Sequence, residues 1–199
     1  MATVLVLNSS INLTSSVTRE LAAAFIERHR EQNPADKIVE RDLVKTPIPH
    51  MPPSLLELQL GAATPEQPDE YAILAEELIA ELEYADVVVI AVPMYSFTVP
   101  SVLKSWIDYI ARAGRTFTYV NGASVGLLQE KKVVLLISTG GIYTDGPTMS
   151  SDFTETYLRA ALGFLGLTDV AVIRVEAQGK SGPAGTVSRA KALELIQVM

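Results

Sequence analysis

The stretch VVVIAVPMYSFTVPSVLKSWID, from Val87 to Asp108, decides the fold class of this chain. It begins as an apolar run, breaks at Pro93, exposes Met-Tyr-Ser-Phe, and after Pro100 takes on the spacing of an amphipathic helix. An unbroken apolar run is typical of a strand that is covered on both faces, as in a parallel sheet. The stretch therefore predicts a buried strand, a loop and a helix in succession.

The alternation of strand and helix continues along the chain. Five blocks read as strands: Thr3–Leu7, Lys37–Arg41, Asp86–Val92, Lys132–Ser138 and Asp169–Val175. Apolar residues at helical spacing predict helices at Ser16–Arg30, Glu70–Tyr84, Val102–Arg112, Asp152–Leu165 and from about Val187. This order predicts an α/β fold with a doubly wound, five-stranded parallel sheet and helices on both faces, in a single domain over residues 1–199.

Two long connections fall outside this pattern. One is KTPIPHMPPSLLELQLGAATPEQP, which starts at Lys45, and the other is GRTFTYVNGASVGLLQEKK, which starts at Gly114. Long connections inside a compact domain often serve as lids or interface pieces, although both segments also fit a role as simple padding.

Composition excludes several classes of function. Hydrophobic residues make up 48% of the chain but lie in short blocks, none near the ~20 consecutive apolar residues of a membrane span. The opening MATVLVLNSS lacks the basic region of a signal peptide, so we expect a cytoplasmic protein without a membrane partner. The absence of cysteine and the presence of only two histidines argue against disulfides, thiolate catalysis and a metal centre. A net charge of -7 disfavours nucleic acid as a partner.

Ligands of open α/β sheets bind outside the carboxyl ends of the strands, where strand order reverses. With strand order 2-1-3-4-5, the first, third and fourth strands are neighbours. Their loops are NSSINLTSS (Asn8 to Ser16), PMYSF (Pro93 to Phe97) and STGGIYTDGP (Ser138 to Pro147). We therefore expect these three loops to converge on one pocket.

The first loop is rich in hydroxyl groups and runs into the start of a helix, which favours an anion site. It contains neither GxxxxGK[ST] nor GxGxxG, so it fits a monophosphate held by Ser10, Ser16, Thr18 and backbone amides rather than a triphosphate or a dinucleotide. Ordinary helix capping by these residues is the alternative interpretation.

The other two loops add features that a phosphate alone would not need. Met94, Tyr95 and Phe97 offer an apolar wall for a flat aromatic ring, with packing at the rim of the core as the alternative. Gly140 and Gly141 allow close backbone approach and free N–H groups, although a plain turn would also use two glycines. Taken together, the three loops predict a pocket for flavin mononucleotide (FMN).

These residues are part of a wider resemblance to the family of FMN-dependent NADH-azoreductases and quinone reductases, which have a flavodoxin-like fold. The resemblance runs along essentially the whole chain, in order and at family-like spacing. It rests on VLVLNSSI, RDLVKTPIP, ELIAELEYADVVVIAVPMYSF, ARAGRTFTY, GLLQEKKVVLLIS, GGIYTDGPT and LGFLGLTDV.

The resemblance implies noncovalent FMN in a homodimer with two interfacial pockets, NADH or NADPH as electron donor, and quinones or azo compounds as acceptors in a ping-pong reaction. Carried onto this chain, the cofactor-binding residues are Ser10, Ser16, Val17, Thr18, Met94, Tyr95, Ser96, Phe97, Ser138, Thr139, Gly140 and Gly141. Tyr119, Tyr143 and Phe164 match substrate-binding positions, and core or interface packing is the alternative for Tyr119 and Phe164. The flavin does the chemistry, so we expect no indispensable catalytic side chain.

Three positions depart from the family pattern. Ser96 stands where the family often has asparagine, Thr139 where it often has arginine, and Tyr143 where histidine is common. We expect these changes to affect hydrogen bonding to the flavin, the nicotinamide preference and any proton donation at position 143.

Two other functions are alternatives to this interpretation. A flavodoxin-type electron carrier would use the same FMN site with protein partners, and the acidic charge fits it. A serine hydrolase using Ser9 or Ser10 would need a nucleophile elbow of the G-x-S-x-G kind, which the chain lacks, and His29 falls within a predicted helix far from the strand ends.

Overall fold

The computed structural model describes residues 1–62, 66–179 and 182–198. In chain order, the elements are β1 (Thr3–Asn8), α1 (Val17–Gln32), β2 (Lys37–Asp42), α2 (Pro53–Gln59), α3 (Glu70–Tyr84), β3 (Val87–Pro93), α4 (Ser101–Ile110), β4 (Phe117–Val120), β5 (Ala123–Gly126), β6 (Lys132–Ser138), α5 (Phe153–Phe164), β7 (Asp169–Val175) and α6 (Pro183–Gln197). A short 3₁₀ helix, Met149–Ser151, precedes α5.

The five predicted strands form one parallel sheet in the order β2-β1-β3-β6-β7. Counted along the sheet strands alone, this is the predicted order 2-1-3-4-5, so the predicted fold class is confirmed. In β3, the residues from Val88 to Val92 are fully buried, as expected for a central strand with helices on both faces. In contrast, β2 is an edge strand with exposed Lys37 and Glu40.

The helices divide between the two faces of the sheet. On one face, α1 and α6 pack Leu21 and Ile196 into a cluster with Val4, Val6 and Val89. On the other face, α3, α4 and α5 contribute to a larger cluster with side chains such as Leu78, Trp106 and Leu158. Because successive strand residues point to opposite faces, alternate residues of β1 and β3 serve the two clusters. In the described part of the chain, no helix has the length and apolarity needed to span a bilayer.

Several helix boundaries differ from the sequence prediction. The last helix begins at Pro183, before Val187, since proline at the first helical position is already set for a helix. The helix after the third strand runs only from Ser101 to Ile110, because its next residues turn back toward the hairpin. Within the proline-rich connection, residues 63–65 lie outside the described part of the chain.

The two long connections contain elements that the sequence pattern did not predict. The proline-rich one forms α2, which buries Leu55 and Leu58 against α3 and its surroundings. The other forms an antiparallel hairpin of β4 and β5. The hairpin rests on the end of α5, where a Cβ atom at Gly126 would lie 2.0 Å from the backbone nitrogen of Gly166. Glycine at position 126 is therefore what allows the hairpin to dock this closely.

Candidate functional site

The loops after β1, β3 and β6 begin side by side, as predicted. Ser9 donates from its amide and its hydroxyl to the carbonyl of Ala91, at 3.2 and 2.7 Å. On the other side of β3, the amide of Met94 donates to the carbonyl of Ser138 at 2.8 Å. The two bonds extend the parallel ladder past the strand ends. They bring the three loops to one edge of the sheet.

The first loop ends in a group of unpaired donors at the start of α1. Ser16 caps this helix, because its hydroxyl accepts from the amide of Arg19 at 3.3 Å and lies 3.1 Å from the hydroxyl of Thr18. The N–H groups of Ser16, Val17 and Thr18 find no acceptor within the described residues. A helix start with free amides and two hydroxyls has the donors and the dipole needed to hold a phosphate.

An ion pair that the sequence did not predict braces this loop. The Arg19 guanidinium contacts the Asp42 carboxylate at 2.5 and 2.9 Å and also donates to the carbonyl of Ser10 at 2.7 and 3.2 Å. Burial tends to raise the pKa of Asp42, but hydrogen bonds from Arg19 and from nearby amides outweigh it and lower this pKa. The position of Asp42 at the end of β2 was the signal that was available, since this strand ends at the same edge of the sheet.

Tyr95 links the first loop to the second. Its hydroxyl lies 3.3 Å from the Ser10 hydroxyl and accepts from the amide of Ile11 at 3.3 Å. The Ser10 hydroxyl is buried and belongs to the predicted phosphate site. The wall predicted for the ring and the loop predicted for the phosphate are therefore directly connected.

Residues Tyr95 to Thr98 form a tight turn, the aromatic turn, with an unusual backbone. Tyr95 and Thr98 exchange both backbone hydrogen bonds, at 2.9 and 3.1 Å, and the two residues between them have left-handed conformations, with φ of 48° at Ser96 and 71° at Phe97. Two central residues with positive φ define a type I′ turn. This turn presents the ring of Phe97 at the surface, where 52% of the residue is exposed.

The start of α5 holds this turn in place. The amide of Phe153 donates to the carbonyl of Phe97 at 3.0 Å. Asp152 caps the helix by accepting from the amide of Thr154 at 2.9 Å, and it pairs with Arg174 of β7 at 2.7 Å. Burial tends to lower the pKa of Arg174, but its carboxylate partners outweigh that effect and raise it. The ion pair of Asp152 with Arg174 therefore fixes the start of α5, which in turn holds the backbone of Phe97.

The loop after β6 that contains Gly140 and Gly141, the glycine loop, has its glycine carbonyl groups bound and the glycine amides without an acceptor among the described residues. The carbonyl of Gly140 accepts from Gly179 at 3.0 Å, and that of Gly141 accepts from Ala177 at 2.9 Å and from the buried Thr139 hydroxyl at 2.8 Å. The N–H groups of Gly140 and Gly141 have no acceptor in the part of the chain that the structure describes. Two such donors on one loop suit a ligand edge that carries negative charge.

Tyr143 lies beside these glycines and opposite the aromatic turn. Its ring makes an edge contact with Phe97, with centroids 6.5 Å apart. A Cβ atom at Gly141 would lie 3.1 Å from the Tyr143 ring, so the glycine permits this close packing. The carboxylate of Glu176 binds the backbone at Tyr143, a contact that no sequence motif indicated.

Tyr119 and Phe164 do not join the other predicted residues within one chain. Both rings pack on Phe117, with centroid distances of 5.7 and 4.3 Å. Phe164 ends α5, whereas Phe153 at its start contacts the aromatic turn. The two ends of this helix are roughly 16 Å apart at a rise of 1.5 Å per residue. The substrate-binding role of Tyr119 and Phe164 therefore stays a prediction that needs a second chain.

The donor set fits FMN. Three amides and two hydroxyls at the start of α1 suit its phosphate, the side chains of Met94, Tyr95 and Phe97 offer an apolar wall, and the amides of Gly140 and Gly141 suit a polar ring edge. Ser138 and Thr139 lie next to those amides, at the end of β6.

Comparison with known proteins gives a consistent result. Residues 2–197 match a family model described as a flavodoxin-like fold. The chain is 44% identical over 187 residues to the FMN-dependent NADH:quinone oxidoreductase of Herminiimonas arsenicoxydans, covering 92% of this chain and 91% of that one. It is similar to the crystal structure of an azoreductase from Bacillus anthracis Sterne, with a TM-score of 0.88, 28% identity and full coverage of both chains. An FMN-dependent NADH-azoreductase from Bacillus anthracis Ames Ancestor, solved in complex with FMN, shares the fold with a TM-score of 0.86 and 23% identity, over 100% of this chain and 99% of that one.

The left-handed conformation of Ser96 generates a stability prediction. Asparagine adopts this conformation more readily than serine, so we expect Ser96→Asn to stabilise the protein by about 0.5 to 1 kcal/mol and to raise Tm by about 2 °C. Thermal unfolding at a fixed FMN concentration measures the effect. Ser124→Asn is the matched control, because Ser124 is an exposed strand residue without positive φ and should not gain stability. Equal shifts in the two variants would contradict the prediction.

Proposed function

This chain belongs to the family of FMN-dependent NADH:quinone oxidoreductases with a flavodoxin-like fold, and from this premise we propose that it reduces quinones and azo compounds by a ping-pong reaction at one FMN site. The observation that carries the proposal is a pair of donor groups without an acceptor in the described part of the chain, on the two loops that flank the loop after β3. One lies at Ser16, Val17 and Thr18, and the other lies at Gly140 and Gly141, with Phe97 exposed on the loop between them.

The residues of the site would act mainly by binding. Ser10, Ser16 and Thr18 would hold the phosphate through hydroxyls, together with the free amides of the α1 start. Bound FMN would supply hydride acceptance from NADH and electron transfer to the acceptor. The amides of Gly140 and Gly141 would offset negative charge at the polar ring edge, so an acid or base side chain is not required.

A shared binding surface supports the ping-pong order. The exposed Phe97 ring and the half-buried Tyr143 ring contact each other, and a nicotinamide and then a flat acceptor would stack in turn against the wall that they form. The arginines beside the first loop already pair with carboxylates, Arg19 with Asp42 and Arg189 with Glu20. This pairing disfavours the extra phosphate of NADPH, so NADH is the expected donor.

We also propose that the active form is a homodimer in which residues 1–199 of each copy form a single FMN-binding domain. Large apolar residues around the site are exposed in one chain: Phe97 by 52%, Ile142 by 39%, Met149 by 59% and Phe153 by 56%. A second copy would cover this surface, which is continuous with the site, and would bring Tyr119 and Phe164 to it. A cytoplasmic location stays a prediction from the sequence.

The activity is tested by the colour of the purified protein. We expect the visible spectrum of bound flavin and, on rapid mixing with NADH, loss of the yellow colour within seconds, followed by its return on adding a quinone or an azo dye. A flavodoxin-type carrier would bind FMN but keep its colour with NADH. That result would overturn the oxidoreductase function while leaving the FMN site intact.

The wall formed by the aromatic turn is tested by removing its two rings. We expect Tyr95→Ala combined with Phe97→Ala to raise the Kd for FMN about tenfold or more, because stacking on the ring and the link to the Ser10 hydroxyl are both lost. Fluorescence titration of the apoprotein with FMN measures this change. Tyr84→Ala is the control, since Tyr84 is 78% exposed at the end of α3. An unchanged Kd in the double variant would place the flavin ring elsewhere.

The dimer is tested by placing a charge on the proposed contact surface. Sedimentation velocity should give twice the mass of one chain for the wild type, and Phe153→Glu should shift the protein toward one chain. Leu195→Glu, at an exposed position of α6, should leave the mass unchanged. A wild-type protein that sediments as a single chain at micromolar concentration would contradict the proposal.

A further inference from the structure

Glu176 occupies a position at the site edge that neither the sequence motifs nor the proposed cofactor contacts explain. It follows β7 directly, at the carboxyl end of the sheet. One carboxylate oxygen accepts from the amides of Tyr143 and Thr144, at 2.7 and 3.0 Å. The other accepts from the Thr144 hydroxyl at 2.6 Å. A single carboxylate therefore binds three donors of one loop.

The backbone of Glu176 is itself fixed on both sides. Its amide donates to the hydroxyl of Ser188 in α6 at 2.9 Å, and its carbonyl accepts from the side chain of Gln178 at 2.9 Å. The same Gln178 amide group also donates to the carbonyl of Gly185 at 2.9 Å. Glu176 is thus anchored to the sheet and to α6, so its carboxylate is a rigid attachment point for the loop of Tyr143.

The loop that Glu176 binds carries the ring that faces the aromatic turn. Tyr143 contacts Phe97 edge to face and packs against Gly141, whose amide is one of the free donors. Hydrogen bonds to a charged acceptor are about twice as strong as neutral ones. Three of them at positions 143 and 144 restrict the backbone that sets where the Tyr143 ring lies relative to Phe97.

We propose that Glu176 is a positioning residue, which acts through Tyr143 to hold its ring against Phe97, so that the two rings form one wall of the acceptor-binding space. The inference rests on the proposed function, because it assigns this space to the electron acceptor. Among the described residues, the hydrogen bonds of the Glu176 carboxylate go to Tyr143 and Thr144 and not to the first loop or the aromatic turn. Its removal should therefore weaken acceptor binding and leave the affinity for FMN unchanged.

The test compares Glu176→Ala with Glu176→Gln in the FMN-loaded protein. In Glu176→Ala we expect the KM for a quinone to rise about tenfold, with kcat and the Kd for FMN within about twofold of the wild type. Glutamine keeps an oxygen that accepts from both amides, so it should restore KM to within about threefold. Glu194→Ala, an exposed glutamate of α6, is the matched control and should match the wild type.

A double-mutant cycle tests whether Glu176 acts through Tyr143. Tyr143→Ala should raise the quinone KM by itself, and adding Glu176→Ala to it should cause little further change, because the ring to be positioned is gone. Amide exchange gives a readout without turnover, since the amides of Tyr143 and Thr144 should exchange faster in Glu176→Ala, with or without FMN. Should Glu176→Ala fail to fold, Thr144→Val removes one of the three bonds and should raise KM about threefold.

The outcomes separate this inference from the function on which it rests. A wild-type protein that does not lose its colour with NADH would overturn the function. An active wild type with unchanged KM and exchange in Glu176→Ala would overturn the positioning role alone. Full additivity of the two substitutions in the cycle would also overturn it, since Glu176 would then act independently of Tyr143.

Discussion

The pairing of β3 with β1 on one side and with β6 on the other is the constraint on which the site depends. The fully buried residues from Val88 to Val92 require helices on both faces, and such a strand has parallel neighbours whose loops leave from the same edge. The bonds from Ser9 to Ala91 and from Met94 to Ser138 continue the pairing beyond the strands. Three loops with different chemistry are thereby placed within reach of one ligand.

An acidic chain that binds an anionic cofactor needs a local source of positive potential. The chain carries a net charge of -7, and Arg19, the cation nearest the first loop, is neutralised by Asp42. In the proposed site, backbone amides would supply the potential instead, at the start of α1 and at Gly140 and Gly141. In the glycine loop, the carbonyls are bound by Ala177 and Gly179, so the loop presents donors without competing acceptors. Specificity for FMN at the proposed site would then come from where the donors lie rather than from the total charge.

The sequence predicted those parts of the molecule that depend on short-range pattern. Strand-like blocks, four of them apolar runs, located all five sheet strands, and the rule for carboxyl ends predicted that the loops of Ser10, Tyr95 and Gly140 leave from one edge of the sheet. The role of these residues in binding FMN stays a prediction. The same pattern could not locate Arg19 with Asp42, or Glu176 with Tyr143, because each pair joins residues far apart in sequence whose types are ordinary on a surface. The left-handed turn at Ser96 was equally hidden, since serine has no special preference for positive φ. Helix α2 and the hairpin were missed because short elements inside proline-rich or glycine-rich connections have little periodicity.

Tyr95 links the phosphate end of the proposed site to the wall for the flavin ring. Its hydroxyl contacts the Ser10 hydroxyl and the Ile11 amide, both at 3.3 Å, while its backbone closes the turn that presents Phe97. A phosphate bound to the Ser10 hydroxyl would therefore change the hydrogen bond between Ser10 and Tyr95. Tyr95 also forms part of the wall for the ring, so the two ends of the site are linked through this bond. If binding at the phosphate end strengthens binding at the ring wall by some factor, binding at the ring wall must strengthen phosphate binding by the same factor, because coupling between two binding contacts is reciprocal. In the proposed site, the phosphate and the flavin ring would therefore be recognised as one unit, and a free phosphate or a free flat ring would each gain only part of the stabilisation that FMN gains.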